Sequence, residues 1–356
     1  MEFMETIKVT KAATSKLREV DFNNLGFGRY FTDHMLMAKY QDGRWQAPEI
    51  LPYGPICFDP AMATLHYGQS IFEGVKAFRM QDGRSAIFRP YENLKRFNRS
   101  AHRMEMPEIS EDIFIGGMRK LLQMEDKWIP HEVEHAMYIR PFMFGTNELL
   151  GVMPSSSYLF MIILSPVGPY YAAPMRIQVE EKYVRAVEGG IGRAKTAGNY
   201  AASLHPFAIA QKNGFDQILW TDAHEHKYVQ ECGTINIFFL VDGRLITPSL
   251  ANGTILEGVT RDSVIKVARD IGIPVEERNI SILELIEAHQ AGLFTEAFGT
   301  GTAATISKVQ EIRYKDRSLL FEPLQFKLAD TLKAKLTGIR DGIEPDVHNW
   351  MLPVFE

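Results

Sequence analysis

Short apolar runs separated by Asp-Gly pairs recur along the chain. Asp42-Gly43, Asp82-Gly83 and Asp242-Gly243 each stand between two such runs. Asp-Gly accepts the positive φ angles of tight turns, so each pair predicts a β-hairpin. The clearest is INIFFLV, then Asp-Gly-Arg, then LITP. Elsewhere the period lengthens. After Pro90, apolar residues fall at Tyr91, Leu94, Phe97, Ala101 and Met104, the spacing of one helix face. A second helix is predicted from about Val259 to Ile271, with Gly272 placed to end it. Strands grouped as hairpins with helices outside them predict an α+β fold rather than strict alternation.

At 356 residues the chain exceeds the usual size of one hydrophobic core, which predicts two domains. The stretch SPVGPYYAAP, residues 165–174, is rich in Pro, Gly and small residues and reads as the junction. The expected division is a smaller domain over 1–168, a linker over 169–182 and a larger domain over 183–356. Lys+Arg of 39 against Asp+Glu of 44 gives a net charge of −5, which argues against binding nucleic acid or anionic membranes. The longest apolar stretch, Tyr158 to Leu164, has the length of a strand and not of a membrane span. The first twenty residues mix acids and bases without an apolar signal core. Only Cys57 and Cys232 are present, far apart, so no disulfide framework or cysteine zinc site can be read. A cytoplasmic enzyme is expected.

Two motifs invite chemical readings that their surroundings disfavour. His131-Glu-Val-Glu-His135 matches HExxH, a zinc motif that requires a helix to aim both histidines one way. Here it follows Pro130 and runs into strand-like AMYIRPFMF, so no metal is expected. Gly299-Thr-Gly-Thr-Ala-Ala304 matches the loose dinucleotide fingerprint, but a helix should follow it and ISKVQEIRY reads as extended. A dinucleotide-dependent oxidoreductase is therefore a weaker rival reading. Successive N–H groups in that loop still suit a phosphate.

A third constellation gains weight from its order. Lys195-Thr-Ala-Gly-Asn-Tyr200 is followed, 36 residues after the lysine, by Glu231-Cys-Gly-Thr-Ile-Asn-Ile-Phe238. Then come Leu256-Glu-Gly-Val-Thr-Arg261 and Gly301-Thr-Ala-Ala304. This succession resembles the fold-type IV pyridoxal-phosphate transaminases of the class-IV aminotransferase family. Upstream, FGRYFTDHM, LHYGQSIFEGVKAFR and YIRP resemble the branched-chain amino acid aminotransferase branch, so the likeness covers almost the whole chain. D-amino acid transaminases and aminodeoxychorismate lyases share that fold and are the nearest alternatives.

The resemblance implies a smaller N-terminal α/β domain that sets substrate specificity and a larger cofactor domain with a β-barrel-like core. It implies pyridoxal 5'-phosphate as the cofactor and reversible amino transfer from leucine, isoleucine or valine to 2-oxoglutarate, by a ping-pong route through pyridoxamine phosphate. Lys195 would carry the cofactor as a Schiff base and move the substrate's proton. Glu231 would hold the ring nitrogen protonated, and Tyr200 would donate to the phenolic oxygen. The phosphate would meet Arg96, which lies off the apolar stripe of its helix, together with Val259 and Thr260 at a helix start and Thr302 in the glycine loop. Substrate would meet Phe27, Phe72, Tyr138, Arg140 and Tyr170, with Thr234 at the border and the Ala303 N–H on the α-carboxylate. Tyr138 and Arg140 are two apart on one strand and so share a face. Tyr67 would reach in from the partner of a homodimer. Some family members carry Cys-x-x-Cys after the glycine loop, where this chain has Ala304 and Ser307, so no thiol switch is expected there.

Overall fold

A computed structural model describes residues 7–169, 173–322 and 326–356. It resolves into two compact units. One comprises Met1–Tyr170, Ala194–Ala197 and Gly338–Glu356, the other Tyr171–Arg193 and Gly198–Thr337.

The first unit is built on a mixed sheet. Its order from edge to edge is Lys8–Val9, Glu49–Pro52, His34–Gln41, Tyr158–Val167, Ala136–Gly145, Val75–Arg79, Ser85–Phe88 and Met351–Pro353. The central antiparallel pair, Ala136–Gly145 with Tyr158–Val167, stays in register over the full length of both strands. Tyr158 to Leu164 is buried along nearly all its length, which explains why it reads as a continuous apolar run rather than an alternating one. Helix Pro90–Arg103 covers this sheet. Its Phe97 packs at 5.4 Å from Phe114 and 5.6 Å from Phe160, all three fully buried. Emptying a site of this kind costs roughly 3–5 kcal/mol. Leu94, Phe97 and Ala101 face inward as their spacing predicts, whereas Tyr91, at the outer edge of that stripe, is exposed.

In the second unit the sheet order is Val229–Cys232, Gln217–Thr221, Met175–Val179, Thr305–Tyr314, Phe294–Gly301, Asn236–Val241, Arg244–Thr247 and Val275–Glu277. Its first strand runs through a short turn directly into Asn236–Val241, which lies sixth in that order, and Cys232 and Ile235 pair across the turn. The sheet must curl back on itself to permit this, giving the barrel-like core that was expected. Helix Val259–Asp270 ends where predicted, with Gly272 in the left-handed region at φ +78°.

Two of the Asp-Gly pairs form two-residue turns with both residues at positive φ, Asp42-Gly43 and Asp242-Gly243. The third differs: only Gly83 has positive φ, within a longer loop joining Val75–Arg79 to Ser85–Phe88. Among the described residues no helix is long and apolar enough to cross a membrane.

Candidate functional site

Lys195 belongs to a four-residue segment that packs with the first unit although it lies beyond position 170 in sequence. Backbone bonds hold it there. Its carbonyl accepts from Phe72 N–H at 3.0 Å, and its own N–H donates to Ser100 Oγ at 2.9 Å. Next to it, Thr196 Oγ1 donates to the Ser70 carbonyl at 2.7 Å. The Lys195 ammonium stands 4.8 Å from the centroid of the Phe72 ring. Burial pushes Lys195 down to about 8, the positive charge of Arg96 adds to that, and Glu73 opposes it. An amine of this kind exchanges its proton near neutral pH, which an exposed lysine does not do.

Phe72, Glu73 and Gly74 each hold one member of the cluster. Phe72 lies under Arg140, whose guanidinium is 4.7 Å from that ring and 5.2 Å from the Tyr138 ring. Arg140 Nη2 donates to Tyr138 Oη at 2.9 Å, and its Nε is buried without a hydrogen-bond partner. Phe27 meets Tyr138 edge-on at 4.8 Å. Glu73 is fully buried and clasps Arg96: Nε donates to Oε1 at 2.7 Å and Nη2 to Oε2 at 2.8 Å. Asn93 Nδ2 adds a third bond to Oε2 at 2.7 Å. These partners hold Glu73 below the usual carboxylate range although burial alone would raise it. At Gly74 a Cβ would fall 2.3 Å from Tyr138 Oη, so only glycine leaves that hydroxyl its place.

The second unit places the remaining groups. Glu231 lies on strand Val229–Cys232 with 2% exposure. Its Oε2 meets Arg185 Nε at 2.7 Å, and its Oε1 accepts the Leu256 N–H at 2.6 Å. Beside it, the Cys232 thiol is pushed up to about 12 by burial, with the charge of Glu231 adding. Val259 and Thr260 open helix Val259–Asp270, where Gly258 provides no side-chain cap. A Cβ on Gly258 would collide with Asn236 Oδ1, whose own amide donates to the Leu256 carbonyl at 2.9 Å. Thr302 and Ala303 sit in the turn between Phe294–Gly301 and Thr305–Tyr314. That turn closes a hairpin, so no helix follows GTGTAA as a dinucleotide site would need. Tyr200 is half-buried on the short helix Ala197–Ala201, and Thr234 is exposed in the turn after Cys232.

The cluster in the first unit thus unites Lys195, Arg96, Phe27, Phe72, Tyr138 and Arg140. Tyr67 ends the short helix Ala63–Tyr67, is 45% exposed and tilts against His66. Tyr170 lies outside the described residues. Residues 131–135 form a turn, not the helix that HExxH requires. Arg96, off the apolar stripe of its helix, is 4% exposed and bound to Glu73. Sequence reasoning missed Glu73, Asn93, Ser100 and Arg185. A signal for two of them existed: Asn93 and Ser100 recur with Arg96 at helical spacing, one position ahead of the stripe Leu94, Phe97 and Ala101.

Comparison with known proteins adds an independent line. Residues 70–312 match the family model for amino-transferase class IV. The chain is 47% identical over 340 residues to branched-chain-amino-acid transaminase 1 of Bacillus subtilis (strain 168), covering 94% of this chain and 95% of that protein. Its fold is similar to that of a branched-chain aminotransferase from the thermophilic archaeon Thermoproteus uzoniensis, solved with norvaline. That likeness has a TM-score of 0.73 and 27% identity, and covers 90% of this chain and 100% of the other. It is also similar to the branched-chain amino acid aminotransferase of T.th. complexed with N-(5'-phosphopyridoxyl)-L-glutamate, at a TM-score of 0.71 and 25% identity over 89% of this chain and 98% of the other.

Proposed function

The chain belongs to the amino-transferase class IV family, and from that premise we propose how its residues divide the work of amino transfer. It is a pyridoxal-phosphate-dependent branched-chain-amino-acid transaminase, the activity for which relatives near half identity are named. The donors leucine, isoleucine and valine and the acceptor 2-oxoglutarate are part of the proposal. The donor set suits the cofactor: a lysine poised near 8, a fully buried ionised carboxylate holding an arginine, a second buried carboxylate and a helix start whose Gly258 brings no side-chain cap. Pyridoxal phosphate supplies the aldehyde that takes up the amino group and the ring that takes up the electron pair freed at the substrate's α-carbon.

In the first unit, Lys195 holds the cofactor and afterwards removes and returns the α-proton, a role that requires a pKa near the working pH. Arg96 receives the phosphate as a charged, planar donor. Phe27, Phe72 and Tyr138 form the apolar wall for a branched side chain. Arg140 offers its cation to the second carboxylate of glutamate or 2-oxoglutarate; family likeness adds Tyr170 to the pocket, with Tyr67 reaching in from the partner of a homodimer. In the second unit, Glu231 keeps a negative charge for the ring nitrogen and Tyr200 donates to the phenolic oxygen. Val259, Thr260 and Thr302 present N–H and hydroxyl donors to phosphate. The Ala303 N–H orients the α-carboxylate, and Thr234 borders it.

The setting of Lys195 carries this reading, because the chain spends backbone bonds from Phe72 and Ser100 on holding one amine beside a buried charge cluster. Borohydride reduction of the cofactor-loaded protein, followed by peptide mapping, should find the label on Lys195. A label on another lysine overturns the assignment.

A homodimer is also proposed. Leu65, Leu149, Leu150, Val152 and Met153 are exposed, and Ala63 N–H donates to the Asn147 carbonyl at 2.8 Å, bringing the helix of Leu65 and Tyr67 beside the loop that carries the others. Apolar surface gathered this way is suited to a second copy. Sedimentation velocity checks it, and a monomer at working concentration counts against it. The cytoplasmic location is supported by one buried and one exposed unpaired cysteine and is testable by cell fractionation.

A further inference from the structure

The Glu73–Arg96 pair is costly unless it does something. Both side chains are buried, at 0% and 4% exposure, together with Asn93 at 2%. Removing two charges from water costs several kcal/mol per ion, and apolar residues of equal volume often serve stability as well or better. The geometry is also more exacting than charge neutralisation needs. Both carboxylate oxygens are engaged, one N–H from each of Nε and Nη2, in a parallel fork. Asn93 and the Gly74 N–H, at 2.7 and 3.1 Å from Oε2, fix the carboxylate itself. Helix Pro90–Arg103 holds Asn93 and Arg96 one turn apart, so the clamp is rigid from both sides.

We propose that Glu73 is a positioning residue for the phosphate end of the cofactor: by gripping one edge of Arg96, it fixes the plane in which that guanidinium meets the anion. The proposal rests on the reading of this chain as a pyridoxal-phosphate enzyme. Arginine recognises phosphate through a planar, two-point contact, so its value depends on how the plane is held. Glu73 also supplies the negative charge that lets Arg96 and Lys195 share one cluster, acting on Lys195 against the effect of Arg96.

The test separates the phosphate from the rest of the cofactor. Apo-protein, as wild type and as Glu73→Gln, is titrated with pyridoxal phosphate and with pyridoxal, which lacks the phosphate, by the change in visible absorbance. Glu73→Gln should weaken pyridoxal phosphate about ten- to a hundredfold, the scale of a charge-assisted bond, and pyridoxal by about threefold or less. Inorganic phosphate should lose its ability to compete to the same degree. Arg96→Met should erase the same preference, and the double variant should add little, since both changes break one element. Arg96→Lys, which keeps the charge and loses the fork, gives a second route should Glu73→Gln fail to fold, and should cost pyridoxal phosphate about tenfold. Equal weakening of both ligands, or an intact preference in either folded variant, overturns the proposal. A wild-type protein that binds neither ligand instead sinks the functional reading on which it rests.

Discussion

Replacing Arg140 by Met should separate the two substrates that one pocket must accept. The pocket wall proposed from Phe27, Phe72 and Tyr138 suits a leucine side chain, whose burial gains roughly 25 cal/mol per Å² of apolar surface. The γ-carboxylate of glutamate would be rejected by the same wall unless a cation met it, because an unpaired buried charge is costly. Arg140 is placed to be that cation. It lies 4.7 Å from the Phe72 ring and spends one donor on Tyr138 Oη at 2.9 Å. Meeting the substrate carboxylate makes a charge-assisted bond worth roughly 1.5–3 kcal/mol. At about 1.36 kcal/mol per tenfold, kcat/KM for glutamate and 2-oxoglutarate should fall about tenfold to a hundredfold. Leucine should lose about fivefold at most, the share due to the Tyr138 hydroxyl losing its donor. Met keeps an unbranched stem against Phe72, so the wall survives. Following each half-reaction separately by cofactor absorbance measures the two constants directly. Equal losses for leucine and glutamate would refute the account and reduce Arg140 to a support for Tyr138.

Three further outcomes follow from the geometry. Glu231→Gln should retain cofactor and lower kcat about a hundredfold or more, the scale of losing one preorganised electrostatic partner; an unchanged kcat would remove Glu231 from the ring nitrogen. Lys195, lowered to about 8 from an ordinary 10.5, is ammonium below that value and neutral amine above it. Capture of pyridoxal phosphate by the apo-protein should therefore accelerate as pH rises toward 8 and level off about one unit higher, and a rate still climbing well past that point contradicts the buried setting. Mild peroxide should leave activity nearly intact, since the Cys232 thiol is pushed up to about 12 and Ala304 and Ser307 supply no thiol pair. Reversible inactivation restored by dithiothreitol would count against this.

Turn chemistry and helix spacing were legible because they are local. Asp42-Gly43 and Asp242-Gly243 adopt positive φ at both residues for reasons contained in two neighbouring residues, and Gly272 ends its helix because it has no Cβ. The roles proposed for Lys195, Glu231, Val259 and Thr302 come from family likeness rather than from physics. What could not be read is the pairing of distant segments. Nothing near Lys195 in sequence says that its carbonyl accepts from Phe72, or that Met351–Pro353 pairs with Ser85–Phe88. Contiguous boundaries such as 1–168 and 183–356 therefore leave out the short segments that the first unit takes from the C-terminal half.

Helix Pro90–Arg103 marks where a sequence could have yielded more. A helix on the surface of a domain buries one stripe and solvates the next, so a polar set one position out of phase is ordinarily read as the wet face. Here Leu94, Phe97 and Ala101 are buried, and so are Asn93, Arg96 and Ser100, at 2%, 4% and 1% exposure. Two neighbouring stripes can both be buried only if the polar one meets hydrogen-bonding partners. Glu73 is that partner for Asn93 and Arg96, while Ser100 accepts from the Lys195 N–H and donates to the Arg96 carbonyl. An arginine and an asparagine buried three apart on a helix, beside an apolar stripe, require partners elsewhere in the chain, and a carboxylate meets both. Glu73, flanked by Phe72 and Gly74 between two strands, is the carboxylate that meets this need. Its burial follows from that requirement, and so does its bearing on how Arg96 is aimed.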